Sequence, residues 1–121
     1  MNWFDYFELA QEWVNEDNEA YKRSAVSRAY YAMYCTARDK LDDANRYHPS
    51  RCDSKHIYVW NKYKEDPAYP DRVQIGRLGS RLHRRRIEAD YHGFIDNFPD
   101  LVDHAMAQAE ELKDFLDSLI L

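Results

Sequence analysis

The spacing of apolar positions along this chain is helical almost throughout, with no stretch that alternates convincingly as a strand. Trp3, Phe7, Ala10, Trp13 and Val14 share one face of a first predicted helix. Tyr21, Ala25, Ala29, Ala32 and Thr36 mark the stripe of a second, longer one that ends near Asp43, and its small residues suit close approach by a neighbour. The polar segment from Ala44 to Asp53, holding Pro49, reads as a loop. Ser54 is the expected cap of a short third helix with His56, Val59, Trp60 and Tyr63 on one side. Pro67 and Pro70 break the chain, and Asp71 is the expected cap of a fourth helix carrying Ile75, Leu78, Leu82 and Ala89 and stopping near Gly93. Asn97 and Pro99 open a final helix with the stripe Val102, Ala105, Ala109, Leu112, Leu116 and Leu119. The pattern predicts one all-α domain over residues 1–121, an antiparallel up-and-down bundle of four main helices plus a short one.

Composition narrows the function classes. A chain of 121 residues supports one core, and 45% apolar with 32% charged residues is ordinary for a soluble globular protein. No apolar run approaches the roughly 20 residues needed to cross a bilayer, so no membrane partner is expected. The N-terminal MNWFDYFELAQEW carries acids where a signal peptide carries a basic stretch, and Cys35 and Cys52 have neither metal spacing nor a framework of pairs. A cytoplasmic protein is expected. The ten tyrosines suit either interfaces and half-wet clefts or a core that uses tyrosine.

Charge is where the chain departs from the ordinary. It is acidic overall, with 17 Lys and Arg against 22 Asp and Glu. Yet six of its eleven arginines lie between Arg72 and Arg86, a stretch with no acid. Guanidinium forks bind phosphate bidentately, so an anionic partner such as RNA or a nucleotide is the first expectation. Arg77, Arg81 and Arg84 are the expected backbone-holding residues, with Arg28 as a further contact and Tyr31 as a base-stacking ring. A rival reading has the arginines latch onto the acidic last helix.

Within the run, Arg86 falls on the apolar stripe, where an unpaired charge is costly. It is expected to face a carboxylate from another helix, a subunit boundary or a cleft, and neither Glu88 nor Asp90 is expected to pair with it. Arg85 and His92 are seven apart and lie within about 20° on a helix, so they form a candidate polar site. The imidazole would move a proton and a guanidinium would neutralise charge on phosphate. His92 also reads as an end charge for the helix. His56 reads as a hydrogen-bonded core residue, and His48 and His104 have no partners at metal spacing. No metal or other cofactor is expected, and no nucleophile elbow or glycine-rich phosphate loop is present.

The segments RSAVSRAYYAMY (Arg23 to Tyr34) and RLHRRRIEADYH (Arg81 to His92) resemble the HEPN superfamily of small prokaryotic helical domains. SRAYYA on the second helix and R-x-x-ADY on the fourth carry the likeness, and His56 fits the histidine that often opens the short helix between them. The resemblance implies a two-fold homodimer. It also implies a metal-independent endoribonuclease, often a toxin or phage-defence effector, that leaves a 2′,3′-cyclic phosphate. Its Arg, four to six residues, then His signature is met both by Arg86 with His92 and by Arg85 with His92. R-x-x-ADY favours Arg86 as the catalytic partner of His92 and helix geometry favours Arg85. Members with R-x-x-ADY also include non-catalytic modules that bind a nucleotide or a companion nucleotidyltransferase antitoxin. Phe94 stands where toxin members carry the tyrosine such a partner modifies, leaving Tyr91 as the substitute.

Overall fold

The computed structural model covers residues 1–121 and contains five helices and no strand. They are α1 (Phe4–Trp13), α2 (Glu19–Asp43), α3 (Lys55–Lys64), α4 (Pro70–Tyr91) and α5 (Phe98–Asp117). All five contribute to one cluster of buried side chains, including Phe7, Tyr30, Met33, Leu41, Trp60, Ile75, Leu82, Leu112 and Leu116. No helix is long and apolar enough to cross a membrane.

The helix starts follow local chemistry. Asn18 caps α2 by accepting from the backbone N–H groups of Ala20 and Tyr21, and Ser54 caps α3 by accepting from Ile57. The expected Asp71 cap is not used. Helix α4 begins two residues earlier, with Pro70 in its first turn and Tyr69 as an N-cap without a side-chain bond. Proline is pre-set for that turn and lacks the N–H that a cap would satisfy, which leaves Asp71 as a favourable charge in the first turn. Asn97 opens α5 in a left-handed conformation with φ 52° and no side-chain cap.

The end of α4 differs from expectation too. Gly93 takes no left-handed turn, and the chain leaves the helix through an extended His92, φ −87° and ψ 122°. Arg23 of α2 completes that end. Its Nη1 donates to the carbonyls of Ala89 (3.0 Å) and His92 (2.5 Å), and its Nη2 donates to Gly93 (3.1 Å). Helix carbonyls near a C-terminus lack internal partners and sit at the negative end of the dipole. Arg23, rather than His92, is the cation that meets them.

Two glycines set the distance between α3 and α4. A Cβ on Gly79 would lie 2.1 Å from the Trp60 ring, and one on Gly76 would lie 2.6 Å from the Trp60 carbonyl. Both are buried, so α3 lies directly on the α4 backbone. The contacts run in opposite order along these helices: His56 meets His83, Trp60 meets Gly79 and Lys64 meets Gly76. Along α2 and α4 the order is opposite as well, with Arg23 near residues 89–93, Ser27 at Asp90 and Tyr31 at Arg86.

Candidate functional site

Helix α4 has two working sides, best separated by angle. At about 100° per residue, Arg77, Arg81, Arg84 and Tyr91 fall within about 80° of arc, opposite Leu82 and Ala89. Gly76, Gly79, His83, Arg86 and Asp90 recur at helical spacing on the side turned to α2 and α3.

On the inner side the structure gathers a polar and aromatic cluster. The Arg86 side chain is 12% exposed and that of Asp90 23%, and their Nε and Oδ2 atoms lie 2.9 Å apart. That pairing corrects the expectation that Asp90 would not reach Arg86: side chains four apart are neighbours on a helix, and the arginine stem spans the turn. The contact lies off the N–H axis, so buried Nε is paired by charge and has no aligned hydrogen bond. Arg86 Nη2 donates to the Tyr31 hydroxyl at 2.7 Å, and Ser27 Oγ donates to Asp90 Oδ2 at 3.1 Å. The guanidinium also lies 4.9 Å from the Tyr31 ring centroid, a cation–π distance. Tyr31, expected to stack on bases, is therefore engaged with Arg86.

Beside this pair lie two imidazoles. The His56 and His83 rings are nearly parallel with centroids 5.0 Å apart, and Tyr34 stacks on His56 at 4.0 Å. The tautomer of His56 follows from its neighbours. Trp60 Nε1 only donates, and it donates to the Tyr30 hydroxyl at 3.1 Å. Burial pushes the Tyr30 phenol well above its ordinary range, so it stays protonated and donates its hydrogen to His56 Nδ1 at 2.7 Å. The His56 hydrogen is thereby assigned to Nε2. Burial, then His83 and the Arg86 and Arg38 guanidiniums, push His56 down to about 4. Burial and then Arg86 lower His83 as well. Both rings are neutral near pH 7. His56 is the hydrogen-bonded residue its position suggested, whereas His83 has no counterpart in the sequence reading.

The outer side looks different. Arg77, Arg81 and Arg84 are exposed and take part in none of the five ion pairs of the molecule. A cleft of about 300 Å³ is lined by Arg81, Arg84, Arg85 and Glu88. Arg85 is held at its edge by a 3.0 Å bond from Nε to Gln108 of α5. Lys64 of α3 adds a further cation: burial lowers its pKa first, and repulsion from Arg84 and Arg77 lowers it further. The rival latch onto α5 is not formed. The side-chain ties from the arginine run to that end of the chain are Arg85 to Gln108 and Arg72 to the Ile120 carbonyl, neither of them to an acid.

Not every expected residue joins these sides. Arg28 lies over the rings of Tyr6 and Trp13 on α1, at 5.3 and 6.0 Å. Arg85 and His92 do not share a helical face, because the helix ends at Tyr91 and His92 is extended. The His92 side chain makes no hydrogen bond to Arg85 or Arg86, while its residue is exposed and its backbone is fixed by Arg23. Larger clefts of about 460 Å³ beside Tyr69 and Arg72, and about 490 Å³ beside Asn18 and Asp103, lie elsewhere and gather no comparable positive charge; most of the charged residues lining the second are acids. No protein-family model matches the chain, and neither a curated protein nor a solved structure shows significant similarity to it.

Proposed function

We propose that this chain is a HEPN-like module that binds single-stranded RNA, or a nucleotide, through phosphate groups on the outer side of α4. One observation carries the reading: Arg77, Arg81 and Arg84 are exposed on one side of α4 with no acidic partner, and Arg84 and Arg77 add to burial in disfavouring the charge of Lys64 beside them. Like charges held together on an acidic protein oppose one another until an anion joins them. Guanidinium groups in that position suit phosphate, which accepts their paired donors. Contacts run in opposite order along α1 and α2 (Trp3 with Asp39, Trp13 with Tyr21), α2 and α4, and α4 and α5 (Arg72 with Ile120, Arg85 with Gln108), which fits the up-and-down bundle of that superfamily, and a two-fold dimer belongs to the same reading. The test is anisotropy of a labelled single-stranded RNA against rising protein at two salt concentrations. Saturable binding that weakens with salt is expected, and absence of binding at low salt overturns the proposal.

A second reading, metal-independent cleavage, is favoured by His92. Its imidazole is on an exposed residue whose backbone is held by a 2.5 Å bond from Arg23, so a proton-transfer group is offered to solvent from a fixed point. In this reading His92 takes the 2′-hydroxyl proton, that oxygen bonds to phosphorus, the P–O5′ bond breaks, and the 5′-oxygen leaves as the alcohol with a proton from water. Arg86, or Arg85 at the edge of the arginine cleft, balances the phosphate charge. Cleavage in EDTA with a cyclic phosphate end, lost in His92→Ala, supports it. Intact RNA, or equal cleavage by the variant, removes it and leaves binding alone.

A further inference from the structure

The cleft of about 460 Å³ beside Tyr69 and Arg72 opens between the start of α4 and the end of α5. Its volume falls within the range of small-molecule sites, roughly 300–1,000 Å³. The lining is mainly apolar. Ile75 is fully buried, Phe115 and Leu119 are half-buried, and Tyr69 and Ile120 are 48% and 87% exposed. Apolar side chains scattered singly on a surface need no explanation, but two that share one cavity with three more form a patch.

Arg72 is the one cation of this lining, and its environment sets it apart from the rest of the arginine run. Its guanidinium lies 3.9 Å from the Tyr69 ring centroid, the closest cation–π approach in the molecule. Nη2 donates to the Ile120 carbonyl at 3.3 Å, which joins the two walls of the cleft. Arg72 takes part in no ion pair, and its Nε and Nη1 make no hydrogen bond. Arg86 Nε is the one enclosed side-chain nitrogen or oxygen left without a hydrogen-bond partner, so Nε and Nη1 of Arg72 reach solvent. A planar donor group is thus held flat against a ring beside an apolar cavity, with little ordering left to pay on binding. Asp71 is the one acid of the lining, so the cleft is close to neutral. That balance disfavours the multiple charge of a phosphate and suits a single carboxylate on an apolar body.

We propose that this cleft binds a small monocarboxylate with an apolar body, its carboxylate on Arg72 and its body against Phe115, Leu119 and Ile120. The site is separate from the phosphate-binding surface on the outer side of α4 and does not depend on that reading.

The experiment follows backbone amide chemical shifts of the whole chain during titration with butanoate, octanoate, octanol and octylammonium. Octanoate is expected to give saturable shifts centred on residues 68–75 and 115–120. It should bind at least about tenfold more tightly than octanol or octylammonium, because a guanidinium–carboxylate pair is charge-assisted. Each methylene between butanoate and octanoate is expected to tighten binding about two- to fourfold. Arg72→Gln should lower octanoate affinity to that of octanol, leave octanol binding unchanged and melt with the wild type, since Arg72 makes no ion pair. Ile120→Ser, at an exposed residue, should weaken octanoate and octanol alike. Equal affinity for octanoate and octanol, octanoate binding unchanged in Arg72→Gln, or shifts centred on Arg77, Arg81 and Arg84 overturns the assignment. Absence of saturable octanoate binding overturns the site. Sedimentation provides a further arm: a wild-type dimer that Ile120→Ser dissociates, with no octanoate bound by either, assigns the cleft to a second copy and overturns the proposal.

Discussion

The inner and outer sides of α4 carry the same residue type to opposite ends. The Arg86 side chain is 12% exposed, paired with Asp90, bonded to Tyr31 and packed over aromatic rings. Arg77, Arg81 and Arg84, within three turns along the same helix, are exposed and have no acidic partner. Guanidinium chemistry is identical in all four, so environment alone decides what each does. A largely enclosed cation whose partner is removed leaves a costly orphan, and Arg86 therefore ties α4 to α2. Exposed cations that repel one another stabilise little and are available to an external anion. The run of arginines is two devices laid on one helix.

That division can be broken by substitution, and the largest effect should come from the outer side. Reversing Arg77, Arg81 and Arg84 together to Glu is expected to weaken single-stranded RNA binding by at least about a hundredfold, with the melting temperature nearly unchanged. Anisotropy and a thermal melt on one sample read both. On the inner side, Gly79→Ala drives a methyl group into the Trp60 ring, where a Cβ would lie 2.1 Å from the nearest atom. Its expected cost is about 3 kcal/mol in urea unfolding, because neither the indole nor the backbone of α3 is free to yield. Arg86→Ala strands Asp90 and the Tyr31 hydroxyl, and is expected to cost about 2–3 kcal/mol while the folded protein still binds RNA.

The pH response sharpens the contrast at smaller scale. His56 and His83 have folded pKa values below the ordinary value, so the unfolded chain binds more protons than the native state. Stability is therefore full above about pH 6.5, the unfolded value, and declines as pH falls toward 4, where His56 titrates in the fold. Discounted for the solvent screening of half-buried rings, the decline from this pair is about 1–2 kcal/mol, and His56→Gln should flatten it. Urea midpoints measured from pH 7 to 4 check the sign. The smallest effect belongs to Gly93, which has no positive φ and open space around its Cα. Gly93→Ala should shift stability by less than about 0.5 kcal/mol, showing that Arg23 and not a glycine turn ends the helix.

Much of this arrangement was legible in the chain. The helical stripes, the Ser54 cap and the Asn97–Pro99 start all follow from local chemistry, and local chemistry is what a sequence displays. The two segments that carry the HEPN likeness prove to be partners: Arg23, Ser27 and Tyr31 dock on residues 86–93 of α4. His83 belongs neither to the apolar stripe of α4 nor to its charged run, so neither pattern marks it. A third side, marked by Gly76, Gly79, His83, Arg86 and Asp90, lies between them. Two buried glycines at helical spacing with a histidine were the signal for it. Arg85 and His92 do not share a helical face for another reason: helical angles hold only while the helix continues, and it stops at Tyr91.

The most direct measurement is the salt dependence of single-stranded RNA affinity for the wild type, Arg81→Ala and Arg86→Ala, each below its melting temperature. Three phosphate contacts give a slope of log affinity against log salt of about −2. Arg81→Ala is expected to reduce that slope by about 0.7, and Arg86→Ala to leave it unchanged. A slope that persists without Arg81 but falls without Arg86 would contradict the division of the two sides.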